Sequence, residues 1–138
     1  MMRMSQAAGL AALVLLGAGV GAPAQAPAPA ALAPLETGLW EFRDVERSGP
    51  PTRICVTDLR QLFQPQQPEP LCKHFLVENG RDQAAVAYDC AAGGQGRTSL
   101  RVETARLVQI QSQGIIGGRP FDVHYEARRI GACVAASR

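Results

Sequence analysis

Two histidines, four cysteines and a handful of serines are the side chains with nucleophilic, redox or metal-binding capacity, and their spacing limits what they can do. A metal centre needs three or four clustered ligands. Near His74 and His124 the sequence offers only Glu126, two residues from His124 and on the same side of an extended strand. Ser99 and Ser112 lie in alternating segments with no sharp nucleophile turn and no base beside them. Cys55, Cys72, Cys90 and Cys133 contain no C-x-x-C, the spacing that makes a thiol pair redox-active. Gly93-Gly94-Gln95-Gly96 has the glycine density of a phosphate loop. Such a cradle requires a helix to follow it, whereas Arg97 to Glu103 alternates like a strand. Arg128-Arg129 would address an anionic surface only if both pointed the same way, and neighbours on a strand point to opposite faces. These residues therefore read as polar strand positions, bridges and turns. The expectation is no catalytic residue, no metal and no cofactor, and a protein that is not an enzyme.

The cysteines have a second use. Their steps of 17, 18 and 43 residues lack the close pairs of a structural zinc site, and an even number in a small exported chain reads as two disulfides. Export is indicated by the first residues. Arg3 supplies a positive start, an apolar run follows from Ala7 to Ala22, and Ala22-Pro23-Ala24 is a small-x-small cleavage signal. The run is short and rich in Gly and Ala for a transmembrane helix, which needs about 20 apolar residues. The reading is a signal peptide over residues 1–24, no transmembrane anchor after cleavage, and a periplasmic or secreted protein. Residues 25–34 are nearly all Ala and Pro and are expected to form a disordered leader. Residues 35–133 form the disulfide-stapled domain, and residues 134–138 a C-terminal tail. A unit of about 100 residues has a modest core and gains from cross-links. Net charge is +2, and the cations, all arginine except Lys73, are spread along the chain. Nucleic-acid binding needs them clustered, so no nucleic-acid partner is expected.

The elements that carry these residues are short and alternating, the pattern of an antiparallel sheet with one buried face. A first strand is predicted over about Gly38 to Glu46 and a second over Thr52 to Val56, with Ser48-Gly49-Pro50-Pro51 between them. Thr57 or Asp58 is placed to cap a short helix over Leu59 to Phe63. Three prolines make Gln64 to Pro70 a loop. A hairpin centred on Arg81 sets Cys72 opposite Cys90, Lys73 opposite Asp89, His74 opposite Tyr88, Phe75 opposite Ala87, Leu76 opposite Val86 and Val77 opposite Ala85. Gly93 to Gly96 turns the chain into strands Arg97–Glu103 and Leu107–Gln113, which pivot near Ala105. Gly117-Gly118 supplies a tight turn that places Ile110 opposite Tyr125 and Val108 opposite Ala127. Leu100, Val102, Val108 and Ile110 share one face, while Arg101, Gln109 and Gln111 share the other.

In an up-and-down meander Cys72 and Cys90 lie at one end of the sheet and Cys133 at the other. That parity favours Cys72–Cys90 with Cys55–Cys133. The alternative, Cys55–Cys72 with Cys90–Cys133, would pin the proline-rich loop instead.

Several landmarks recur in order: Gly38-Leu39-Trp40-Glu41, then Cys55-Val56-Thr57, Cys72 and Cys90 around a hairpin, and Arg128-Arg129-Ile130-Gly131-Ala132-Cys133. In this the chain resembles the domain of unknown function 3617 family, small exported proteins of proteobacteria. The resemblance spans about Leu35 to Cys133 and implies an exported, cysteine-paired β domain without implying an activity.

The fold expected is all-β: a curved antiparallel meander or partly open barrel of six to seven strands with one short helix and two disulfides. A curved sheet fills its concave side with side chains or with one small apolar ligand. The first functional expectation is thus a non-enzymatic exported domain that binds a small apolar or lipid-like ligand through Trp40, Phe42, Leu100, Val102, Ile110 and Tyr125. The second is a protein–protein module of the cell envelope, such as a chaperone, inhibitor or stress factor, that uses an exposed strand edge or apolar patch.

Overall fold

A computed structural model describes residue 19 and residues 28–133. Apart from residue 19, the expected signal peptide, the start of the leader and the C-terminal tail fall outside these residues. Seven strands form one antiparallel open sheet: β1 (Gly38–Asp44), β2 (Thr52–Val56), β3 (Lys73–Asn79), β4 (Gln83–Asp89), β5 (Gly94–Thr104), β6 (Leu107–Ile116) and β7 (Arg119–Gly131). Their order is β2-β1-β7-β6-β5-β4-β3, so β3 to β7 run as a meander and the N-terminal hairpin returns to pair β1 with β7. No helix among the described residues is long and apolar enough to cross a membrane.

Alternation divides the sheet into an apolar and a polar face. Trp40, Phe42, Val56, Val86, Leu100, Val108, Ile110 and Ala127 are buried on the first. Two 3₁₀ turns complete its cover. Leu59–Phe63 brings Leu62 and Phe63 into the core, and Ala30–Leu32 brings Ala31 and Leu32. From residue 28 on, the supposed leader is thus part of the packed domain. Ala31 and Leu32 supply apolar side chains, and the amide of Ala30 donates to Asn79 Oδ1, tying this segment to the end of β3. The capping expected near residue 58 is present in full. The Asp58 carboxylate accepts from the Arg60 amide while Gln61 Oε1 accepts from the amides of Thr57 and Asp58.

The hairpin registers follow the sequence until the turns. Lys73–Asp89, His74–Tyr88, Phe75–Ala87 and Leu76–Val86 are paired as expected, but Ala85 then faces Glu78 rather than Val77. The turn is the reason. Gly80 donates to the Gln83 carbonyl, leaving a two-residue tip, Arg81-Asp82, where the sequence reading had one central residue. Val77 is the extra residue, absorbed as a β-bulge. The same happens one hairpin later: Leu100–Ile110 and Val102–Val108 pair as expected, and the register shifts before Thr104–Leu107 because Ala105-Arg106 is a two-residue tip. The glycine run near residue 95 turns the chain earlier than expected, since Ala91–Gly93 makes the turn and Gly94 already opens β5. At Gly117-Gly118 both φ angles are positive, +56° and +75°, so glycine is needed and the predicted β6–β7 register holds.

Both disulfides join the cysteines that the parity argument favours, Cys55 to Cys133 and Cys72 to Cys90. The first links edge strand β2 to the chain just beyond β7. The second staples the open end of the β3–β4 hairpin.

Candidate functional site

All six residues expected to line a ligand cavity lie in the apolar core. Trp40, Phe42, Leu100 and Ile110 are buried, with Val102 and Tyr125 packed against them. Their polar atoms are engaged as well. Trp40 Nε1 donates to the Glu36 carbonyl at 3.1 Å, and the Tyr125 hydroxyl accepts from Gln66 Nε2 at 2.6 Å while its ring meets Phe42 edge-on. These side chains fill the space under the sheet with one another and with Leu62 and Phe63, so the apolar face is a core.

The remaining sequence candidates are accounted for by local contacts. Ser112 is buried and bonded to Thr98, whose hydroxyl also donates to the Phe63 carbonyl, joining β5 and β6 to the 3₁₀ turn. Ser99 is on the exposed polar face. His124 Nε2 lies 3.2 Å from Gln109 Oε1, while Glu126 turns to Arg128. No group of three metal-ligating side chains occurs among the described residues. Arg128 and Arg129 do point apart: Arg129 Nε donates to the Thr37 carbonyl beside Glu36, closing the start of β1 against the end of β7.

His74 belongs to a bracket that sequence reasoning did not see. Gln64 is fully buried. Its Nε2 donates to the carbonyls of Gln67 and Pro70, and its Oε1 accepts from the Cys72 amide at 3.0 Å. The second contact of Oε1 is His74 Nε2 at 2.8 Å, so that nitrogen carries the proton of the neutral ring. One carboxamide thereby holds the proline-rich loop against β3. Burial pushes the His74 imidazole below its ordinary value, the Arg60 guanidinium adds to this, and the Asp58 carboxylate opposes it.

Open space appears on the opposite, polar face. The register sets four strands side by side there: Ala87, Arg97, Gln113 and Asp122 form one row, Ala85, Ser99, Gln111 and His124 the next. Ala85 and Ala87 are short, and the taller side chains of β3 and β5 stand on either side of them. Shallow polar depressions of about 300 Å³ lie over Ser99, Gln111 and His124. Beside them, sharing Arg97 and Gln113 with one of the two, a larger trough of about 670 Å³ lies at the end of the sheet that holds the turn Ala91–Gly93. Phe75, Ala87, Arg97, Gln113, Ile115 and Phe121 line this trough. Phe75 is 57% exposed and Ile115 44%, among the most exposed large apolar side chains described. Its volume falls within the range of small-molecule sites, roughly 300–1,000 Å³.

Arg97 stands in the middle of the trough. Other arginines of this face are tied to carboxylates on their own strands, Arg101 to Glu103 and Arg128 to Glu126. Arg97 makes no ion pair or hydrogen bond among the described residues. The trough carries a weak sequence signal: Phe75 and Ile115 break the polar alternation of their strands on the solvent side. Exposed apolar residues are common one at a time, so neither stands out in the sequence by itself. Only the register puts them on one face, on either side of Arg97. Comparison with protein-family models, with curated proteins and with solved structures found no match.

Proposed function

We propose that this chain is an exported, non-enzymatic envelope domain that binds a small apolar or lipid-like ligand in the trough between Phe75 and Ile115. One observation carries the reading: a concavity of about 670 Å³ on the sheet is walled by Phe75 and Ile115, large apolar side chains left in water. Burying Phe75 and Ile115 under a ligand would remove apolar area worth about 1.5–3 kcal/mol for each side chain fully covered. Export is supported by the two disulfides, which persist in oxidising compartments, and by the charged start, apolar run and Ala22-Pro23-Ala24 of the N-terminus. The ordered landmarks from Gly38 to Cys133 support grouping it with the domain of unknown function 3617 family.

Intact mass of the protein from the periplasm, before and after reduction, tests the export half of this reading. Loss of residues 1–24 with no alkylatable thiol is expected; a retained N-terminus or four free thiols would refute it. The binding half is tested with Nile red, a neutral apolar dye. Saturable binding at one site, weakened at least about tenfold by Phe75→Glu with the fold retained, is expected. No saturable binding would refute it.

A second reading is favoured by terminal strand β3. Leu76 and Val77 are 38% and 49% exposed beside Phe75, which suits an envelope partner that adds an extended strand at this edge. The bulge at Val77 interrupts that edge and favours the ligand reading. Slower hydrogen exchange of β3 amides on adding an extended apolar peptide would support strand addition, and unchanged exchange would refute it.

A further inference from the structure

We infer that the occupant of the trough is a single-chain amphiphile with a carboxylate head, held at Arg97. This rests on the trough being a ligand site. Four observations carry it. Arg97 is the cation of the trough without a carboxylate partner, while Arg101 and Arg128 on the same face are neutralised along their own strands. Gln113 is directly opposite Arg97 in the register and Gln95 is two residues away on the same side of β5, so two carboxamides flank the guanidinium. The one carboxylate in the lining, Asp89, lies opposite Lys73 in the register and is turned to the Ala91 amide at the rim, with no ion pair to Arg97. The apolar walls lie to the sides of Arg97: Ile115 next to Gln113 along β6, and Phe75 two strands away, about 10 Å at ordinary strand spacing.

A guanidinium presents a planar fork that fits a carboxylate through two parallel N–H···O bonds, which a neutral hydroxyl cannot reproduce. A head group at Arg97 sends its chain across the small floor of Ala87 toward Phe75 or along the sheet end toward Ile115. A head without charge would leave the guanidinium partly desolvated with nothing to offset the cost. A cationic head would meet the Arg97 guanidinium as a like charge.

The test uses the processed protein with both disulfides, loaded with Nile red at pH 8. The competitors are decanoate, decanol and decyltrimethylammonium, each below its aggregation concentration. Displacement by decanoate at a concentration about tenfold or more below the other two is expected. Arg97→Gln should bring decanoate to within about threefold of decanol, both scored against that variant's own Nile red affinity, and Arg97→Lys should restore part of the preference. Equal displacement by all three, or a preference for the cation, would overturn the inference and leave the apolar site standing. An Arg97→Gln protein that keeps the full preference would overturn it too. Failure of Nile red itself to bind would instead remove the apolar site.

Discussion

At the scale of single residues, Gln64 does more than its position in a proline-rich loop suggests. A loop with three prolines has few amides with which to fix itself, so its carbonyls and the neighbouring strand must be held by a side chain. Gln64 does this with both ends of its carboxamide. Gln64→Leu keeps the volume and strands the Cys72 amide, the His74 ring and two carbonyls. A loss of about 2–4 kcal/mol is expected in urea denaturation. His74 adds a pH dependence with a definite sign. Its folded-state value is lowered, so the unfolded chain binds the proton more tightly. The stability contributed by the neutral ring is complete above the ordinary value of 6.5 and declines as pH falls below it toward the folded value. Urea midpoints should drop between pH 7 and pH 5, and His74→Gln should flatten that drop. An unchanged slope in the variant would assign it to other groups. Neither role was legible beforehand: a buried glutamine and a strand histidine carry no pattern, and both acquire meaning only when the loop folds back across the sheet.

At the scale of elements, legibility followed the local rules. Glycine at both turn positions fixed the β6–β7 register because a backbone with two positive φ angles admits little else. Replacing Gly117 and Gly118 together by Val should cost about 2 kcal/mol or more and lower the melting temperature accordingly. The strand Thr52–Val56 and the capped turn Leu59–Phe63 were readable to the residue, since proline, threonine and aspartate mark their ends chemically. The tips at Arg81-Asp82 and Ala105-Arg106 were not, because two-residue and three-residue turns without glycine have similar sequences. Each bulge corrects for one residue of turn length and returns the rest of the hairpin to the register set by its apolar pairs. The Ala/Pro stretch misled for a related reason. Composition described a segment unable to build a core of its own, yet Ala31 and Leu32 enter one that the sheet had already built.

At the scale of the whole molecule, two cross-links govern an open sheet. Cys55–Cys133 closes 78 residues and Cys72–Cys90 closes 18. Chain entropy gives about 4.5 kcal/mol for the longer loop and about 3 kcal/mol for the shorter. The pair substitution Cys55→Ala/Cys133→Ala should therefore destabilise the protein more than Cys72→Ala/Cys90→Ala, as read by denaturant midpoints; the reverse order would show that local packing outweighs loop length. The fold as a whole was readable because alternation gives two faces and cysteine parity gives the ends of the sheet. The candidate site was not. Large apolar residues under the sheet attracted the ligand reading, and they satisfy one another there. The trough arises on the other face, where Arg97 and the small Ala87 lie between the isolated Phe75 and Ile115 on strands far apart in sequence.

The most direct test of where this domain binds is a ¹⁵N and methyl NMR titration of the oxidised protein with Nile red. Binding in the trough predicts shifts confined to Phe75, Ala87, Gly114, Ile115 and Phe121, with the Trp40 indole signal unmoved. Shifts centred on Trp40 and Tyr125 would place the ligand in the core and contradict the account, and so would the absence of any saturable shift.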